Sequence, residues 1–274
     1  MKIDYHTHHQ RCGHAVGTLR EYVEKAIELG IEQLGLSDHM PLFHIDPQQY
    51  LPEVAMSRSE LANYVEECYN LKREYTRQID IRVGLEADYI EGHEREIERI
   101  LGDFEWDYVI GSVHFIGHNS EWDITDYRMI HLWQGKDVAD VYRHYYDKVK
   151  KAASCGLFDF IGHVDAIKRF GFQCTQNTFE WEKEALDVIR KNDLAVELNT
   201  AGWAAKAAEQ YPSQRMLHYC REIGIPITLG SDAHQPGHLM RDFDKALQML
   251  KQVGIHQLAT FSQRGRFMIN TVYN

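Results

Sequence analysis

The chain has 274 residues, 44% of them hydrophobic and 26% charged, a balance that supports a substantial core and allows one large α/β domain over 1–274. Its formal charge of −11 disfavours nucleic acid as a partner, no apolar run reaches the roughly 18 residues that span a bilayer, and MKIDYHTHH lacks the apolar stretch of a signal peptide. The five cysteines form no CxxC pair, which argues against a disulfide framework and a zinc ribbon, so the expected compartment is the cytoplasm.

In chain order, the expected strands are KIDYH (2–6), QLGLS (33–37), IRVGLE (81–86), YVIGSVH (108–114), FDFIGH (158–163), LAVEL (194–198) and PITLGS (226–231). They are short and mostly apolar throughout, as strands buried on both faces of a parallel sheet must be. Between the first two, Thr18 and Glu21 form a capping box before a helix with Leu19, Tyr22, Val23, Ala26 and Ile27 on one face, stopped by Gly30. Ser57 and Glu60 repeat that spacing before a helix carrying Leu61, Tyr64, Val65, Cys68, Leu71 and Tyr75. Further helices are expected near 92–101, 138–154, 180–191, 213–223 and 243–253, with Gly156 and Gly224 as C-terminal stops. Seven β-then-α units without a linker or repeat predict a closed or nearly closed seven-stranded β/α barrel, TIM-like in plan. A doubly wound open sheet is the alternative, but no GxGxxG or Walker loop follows a strand.

In β/α barrels the functional groups sit where the strands end, because the βα loops converge there. Here the strands end in His6 and His8, Asp38 and His39, Glu86, His114, His163, and Asp232 and His234. His6 and His8 are two apart on a strand, so both point to one side, as a shared metal requires; Asp232 and His234 repeat the spacing. His14 lies in the first loop, where Gly13 permits a tight path back to the rim. His9 points the other way and reads as a bystander, as does Cys12; Asp38 reads as an orienting partner of His39. Any one of these histidines could be a hydrogen-bonded structural residue, but no structural need places imidazoles at so many strand ends.

DYHTH (4–8), GHA (13–15), LSDH (36–39), GLEADY (84–89), GSVHF (111–115), GHVD (162–165), ELN (197–199) and GSDAH (230–234) together resemble the PHP (polymerase and histidinol phosphatase) metallohydrolases. The resemblance runs in order over almost the whole chain and implies a distorted seven-stranded barrel with three divalent metals at its rim. It implies that His6, His8, Glu86 and Asp232 bind one metal, that Glu86 bridges to a second with His114 and His163, and that His14, His39 and His234 bind the third. Imidazoles with few carboxylates suit zinc, iron or manganese, and composition does not choose among them.

Three divalent ions carry about six positive charges against about two from Glu86 and Asp232, an excess that a phosphate dianion and hydroxide would nearly balance. The implied reaction is metal-assisted hydrolysis of a phosphomonoester, with water attacking in line. His238 is a candidate acid for the leaving group, or else a solvated loop residue. Arg169, Lys168 and Arg11 are candidate phosphate ligands, Arg169 foremost for its planar fork; a surface charge is the plain alternative for each. GSVHFIGHNSEWDITDY (111–127) and HVDAIKRFG (163–171) most resemble the stand-alone histidinol-phosphate phosphatases of the family. In that reading Trp122, Asp123, Asp126 and Trp133 surround an imidazole and an ammonium group, unless the tryptophans only pack the loop, and Asn199 faces substrate. A phosphoesterase acting on another small ester or on nucleotide ends, and a non-catalytic metal-binding module, are the alternatives. The oligomeric state is not legible.

Overall fold

The computed structural model describes residues 1–45 and 53–271. Seven strands form one parallel sheet in sequence order: β1 (Ile3–Asp4), β2 (Gln33–Leu36), β3 (Asp80–Asp88), β4 (Tyr108–Ser112), β5 (Phe160–Ile161), β6 (Ala195–Asn199) and β7 (Ile227–Gly230). The ring is drawn together between β1 and β7, where Tyr5 N–H donates to Leu229 O at 2.9 Å and Thr7 pairs in parallel with Ala233. This is the seven-stranded, TIM-like barrel expected from the alternation of apolar runs and amphipathic stretches. β1 and β5 are much shorter than their apolar runs, because the chain leaves ladder geometry where it begins to carry rim residues.

The helices α1 (Leu19–Glu28), α2 (Leu61–Glu74), α3 (Glu94–Gly102), α4 (Val138–Ser154), α5 (Phe179–Lys191), α6 (Gln214–Ile223) and α7 (Phe243–Val253) lie in the β-to-β connections and after β7. The Thr18–Glu21 capping box closes on α1, satisfying N–H groups in both directions. At α2 the expected box is absent: Glu60 is the N-cap without a side-chain bond, and the Ser57 hydroxyl meets Ser59 instead. A turn over 58–60 separates Ser57 from the first helical residue, so its oxygen cannot reach the amide a cap must satisfy.

Two features had no clear pattern in the sequence. A C-terminal antiparallel hairpin, β8 (Gln257–Ser262) and β9 (Gly265–Asn270), sends Phe261 against Tyr5, Tyr108 and Phe160. These four buried rings fill the barrel toward the N-terminal ends of the strands, each worth roughly 1.5–3 kcal/mol of burial. Tyr108 fits because β2 and β3 present glycines to it: a Cβ on Gly84 would come within 2.3 Å of its ring. A second hairpin, Phe115–Ile116 with Trp122–Asp123, runs into a 3-10 turn over Tyr127–Trp133 and overhangs the opposite end. The aromatic plug thus leaves that opposite, C-terminal rim for polar groups.

Candidate metal centre

Alternation along the end of β1 turns Thr7 outward, where its hydroxyl donates to Gly35 O at 2.8 Å, and turns His6 and His8 inward, ring centroids 5.0 Å apart. β3 runs past Glu86, whose carboxylate is the hub. Its Oε2 lies 2.9 Å from His39 Nδ1, 3.4 Å from His6 Nε2 and 3.5 Å from His8 Nε2. Its Oε1 lies 2.9 Å from His163 Nε2 and 3.5 Å from His114 Nε2, and accepts the Ser112 hydroxyl at 2.6 Å. Asp232 Oδ1 lies 3.1 Å from His8 Nε2 and 3.9 Å from His6 Nε2.

Among the described residues, four overlapping sets of donor atoms are each compact enough for one ion: His6, His8 and Asp232; His6, Glu86 and His163; His39, Glu86 and His114; and His8, His39 and His234. Only the first lies within the grouping the family resemblance implies: His163 and His114 fall in separate sets, joined by His6 and His39, and the last set has His8 in the place of His14. The His14 ring stands 4.8 Å from that of His234 and 5.1 Å from that of His39, beside the set. His6 Nε2, His8 Nε2 and Glu86 Oε2 are buried and make no hydrogen bond of acceptable geometry. Such atoms converging in a buried site are costly unless a further partner binds them, and their chemistry fits divalent metal ions.

Backbone strain marks the same place. His163 has φ +22° and Asp232 φ +52°, a region that disfavours side chains bearing Cβ and costs on the order of 1–3 kcal/mol per residue.

Carboxylates behind the histidines orient them. Glu197 Oε1 is 2.7 Å from His6 Nδ1, Asp88 Oδ1 is 2.8 Å from His114 Nδ1, and Asp38 Oδ1 is 3.4 Å from His8 Nδ1. Asp38 also accepts the His39 N–H at 2.8 Å, but it meets the rings of His8 and His9 and not that of His39. His9, read as a bystander, is buried between Asp38 and Arg11, whose Nη1 lies 2.9 Å from its Nε2. Glu197 and Asp88 were not singled out from sequence, though each had a signal: an acid inside the apolar run LAVEL, and an acid two residues beyond Glu86 on the same face.

Burial opposes charge on His6, but Glu197, Glu86 and Asp232 outweigh it and hold its pKa well above the ordinary value. Burial likewise opposes charge on His8 and His114; Asp232 and Asp38 raise the first to about 9, and Asp88 and Glu86 raise the second to about 10. Glu86 and Asp232 are held low by the surrounding imidazoles, against burial. Burial and neighbouring histidines lower His14 to about 4 and hold His234 well below its ordinary value, so these two are neutral and ready to donate lone pairs.

Above the cluster opens a cavity of about 350 Å³. Arg169, Tyr211, Phe115, Asp123, Asp126 and Tyr127 line it beside the cluster residues. The other candidates from sequence are not brought to this cavity. Lys168 Nζ is taken up by Asp165 at 2.7 Å, Glu209 at 2.7 Å and Gln210 O at 2.8 Å. Arg11 bridges Glu60, the N-cap of α2, and Glu67 within that helix. Asn199 is fully buried, its amide 3.1 Å from Glu197 Oε2 and 3.4 Å from Asp232 Oδ2, where it can steady both carboxylates. Trp122 packs edge-on against Trp133, which stacks on Phe172 at 4.3 Å, so the tryptophans tie the loop to the barrel. His238 pairs with Gln235 outside the cavity, because the 3-10 turn Pro236–His238 leads the chain away after His234.

A family model for the PHP domain matches residues 4–201. The chain belongs to the PHP domain family. The matched stretch holds His6, His8, His39, Glu86, His114 and His163, and the end of this PHP chain adds Asp232 and His234. It is 40% identical to a probable histidinol-phosphatase of Deinococcus radiodurans over 95% of this chain and 96% of that protein. It is 32% identical to the histidinol-phosphatase of Bacillus subtilis, covering 90% and 99%. Among solved structures, the histidinol phosphate phosphatase of Lactococcus lactis, complexed with zinc, L-histidinol and phosphate, superposes with a TM-score of 0.79 at 26% identity, covering 97% and 98%. Among the described residues no helix is long and apolar enough to cross a membrane.

Proposed function

We propose that the protein is a metal-dependent phosphomonoesterase that hydrolyses L-histidinol phosphate to L-histidinol and phosphate, a step of histidine biosynthesis. The observation that carries this reading is one cavity lined by groups of opposite polarity: the cluster of imidazoles and carboxylates and Arg169, and Asp123 with the aromatic side chains of Phe115 and Tyr127. That polarity suits a substrate anionic at one end and cationic at the other. The relatives named histidinol-phosphatases, and the solved neighbour that holds histidinol and phosphate, support it.

In this reading His6, His8, Glu86 and Asp232 hold one divalent ion, Glu86 with His114 and His163 a second, and His39 and His234, with His14 alongside, a third, the ions being zinc, iron or manganese. When bound, such ions supply Lewis acidity, bringing the pKa of water toward neutrality and offsetting phosphoryl charge. Arg169 binds two phosphoryl oxygens through its fork and fixes the ester against the cluster. Asp123, shaped into a turn because its Oδ1 accepts from Thr125 N–H and hydroxyl and from Asp126 N–H, receives the substrate ammonium. Phe115 and Tyr127 flank the imidazole. Asp126 is ion-paired to Arg128 and keeps that arginine at the mouth. The chain acts as one domain in the cytoplasm.

The test is phosphate release from L-histidinol phosphate, compared with sugar phosphates and nucleotides, by the metal-loaded protein. Preference for histidinol phosphate, lost in Glu86→Ala with the fold retained, is the expected result. Preference for another ester would reassign the substrate. Activity surviving His6→Ala with His114→Ala would overturn the site assignment.

A further inference from the structure

Tyr211 is a wall residue of the cavity whose chemistry the reading above leaves unused. Only 1% of it is exposed, yet it lines the cavity, and its hydroxyl proton finds no acceptor among the described residues, the polar side chain acting on it at close range being the donor Arg169. A buried hydroxyl proton without an acceptor destabilises the fold, so its persistence at a binding surface calls for an external acceptor. Its position is rigid: Tyr211 N–H donates to Asn199 O at 3.0 Å, and Asn199 N–H returns to Tyr211 O at 2.6 Å, fastening it to the end of β6. The ring stands edge-on to His163 at 6.4 Å, and Lys168 Nζ sits 5.3 Å from its centroid. Arg169 lines the same cavity and interacts with the Tyr211 side chain.

We propose that Tyr211 is a substrate-binding residue whose hydroxyl donates a hydrogen bond to a phosphoryl oxygen, beside Arg169; this rests on the phosphatase reading. A phenol suits the task because it adds a directional donor without adding charge to a wall that already holds a guanidinium. Burial pushes the Tyr211 pKa up despite the nearby Arg169, so the hydroxyl keeps its proton. The acids near it do not take that proton: Asp165 turns Oδ2 to Lys168 and the Ser213 N–H and leaves Oδ1 unpaired, Asp232 faces His8, and neither accepts from the Tyr211 hydroxyl. No bond to Tyr211 is made or broken. It holds the ester, and holds the released phosphate equally.

Tyr211→Phe removes the hydroxyl and keeps the ring. Inorganic phosphate is titrated calorimetrically into manganese-loaded wild-type and variant protein, with turnover of histidinol phosphate, metal content and thermal midpoint measured in parallel. Phosphate Kd and substrate KM rise together by about ten- to a hundredfold, as loss of a hydrogen bond to a charged group requires. kcat and metal content hold, because ground and transition states lose the bond alike, and the midpoint does not fall. Phosphate affinity within about twofold of wild type overturns the proposal, being well below what a hydrogen bond to a charged group contributes. So does a lowered midpoint with loss of metal, since the hydroxyl would then serve the fold. If wild-type protein turns over the substrate while the variant binds phosphate equally well, the inference alone fails. If wild type neither binds phosphate nor releases it from any monoester, the phosphatase reading fails with it.

Discussion

Glu197 Oε1 lies 2.7 Å from His6 Nδ1, while Glu197 Oε2 accepts the His163 N–H at 2.9 Å. One buried carboxylate from β6 therefore orients a ring from β1 and the strained backbone after β5. With the proton on Nδ1, the lone pair of His6 Nε2 faces Glu86 and Asp232, the tautomer a metal requires. Glu197→Gln keeps the volume but weakens that hold, and metal affinity falls by about 10- to 100-fold in chelator competition. Unchanged affinity would mean that packing alone sets the ring.

Gly230 closes the same arrangement from β7. A Cβ there would come within 1.9 Å of Glu197 Oε1 and 2.6 Å of His6 Cβ. Gly230→Ala is expected to destabilise the fold by about 1–3 kcal/mol through overpacking, read from denaturant midpoints, and to lower metal content in what remains folded.

Metal removal has a pH signature. In the metal-free protein the folded-state pKa values of His8 and His114, about 9 and about 10, exceed the ordinary 6.5. Their stabilisation is complete below 6.5 and is lost as pH rises through 9–10. Glu86 and Asp232 are held below their ordinary 4.5 and 3.8, so their stabilisation is present above those values and is lost as pH falls below them. The chelated protein should thus show its highest thermal midpoint in mildly acidic solution and a falling one toward pH 10. Metal binding must displace the histidine protons, so affinity climbs with pH, and calorimetry in buffers of different ionisation enthalpy should report proton release. No released protons would refute the coupling.

Arg169 and Lys168 are neighbours with different surroundings. Arg169→Met should lower kcat/KM for histidinol phosphate by about 10- to 100-fold through loss of a charge-assisted contact. Lys168→Met should leave kinetics nearly unchanged and lower the thermal midpoint, because its ammonium is committed to Asp165, Glu209 and Gln210 O. Equal kinetic losses in the two variants would contradict this division.

Asp123→Asn separates the two ends of the substrate. kcat/KM should fall by about 10-fold or more for histidinol phosphate, while an aryl phosphate without an ammonium group is hydrolysed at the wild-type rate. A parallel loss on both esters would show that Asp123 serves the hairpin and not the ammonium.

The barrel and the convergence of histidines on one rim were legible in the linear sequence, because both follow from local periodicity. Strands buried on both faces must be apolar throughout, and a parallel arrangement sends every strand end to the same rim. His6 and His8 could be assigned one side from their spacing alone. What only the tertiary structure decided was partnership. Lys168 and Arg169 are indistinguishable as adjacent cations in a loop, yet Glu209, 41 residues from Lys168, takes one and the cavity wall receives the other. His9 reads as a bystander by alternation, and becomes a support once Asp38 is folded against it. Glu197 stands 191 residues from His6, and only closure of the barrel makes it that histidine's partner. Periodicity is written along the chain and fixes which way a side chain faces; what it meets there depends on contacts between distant segments.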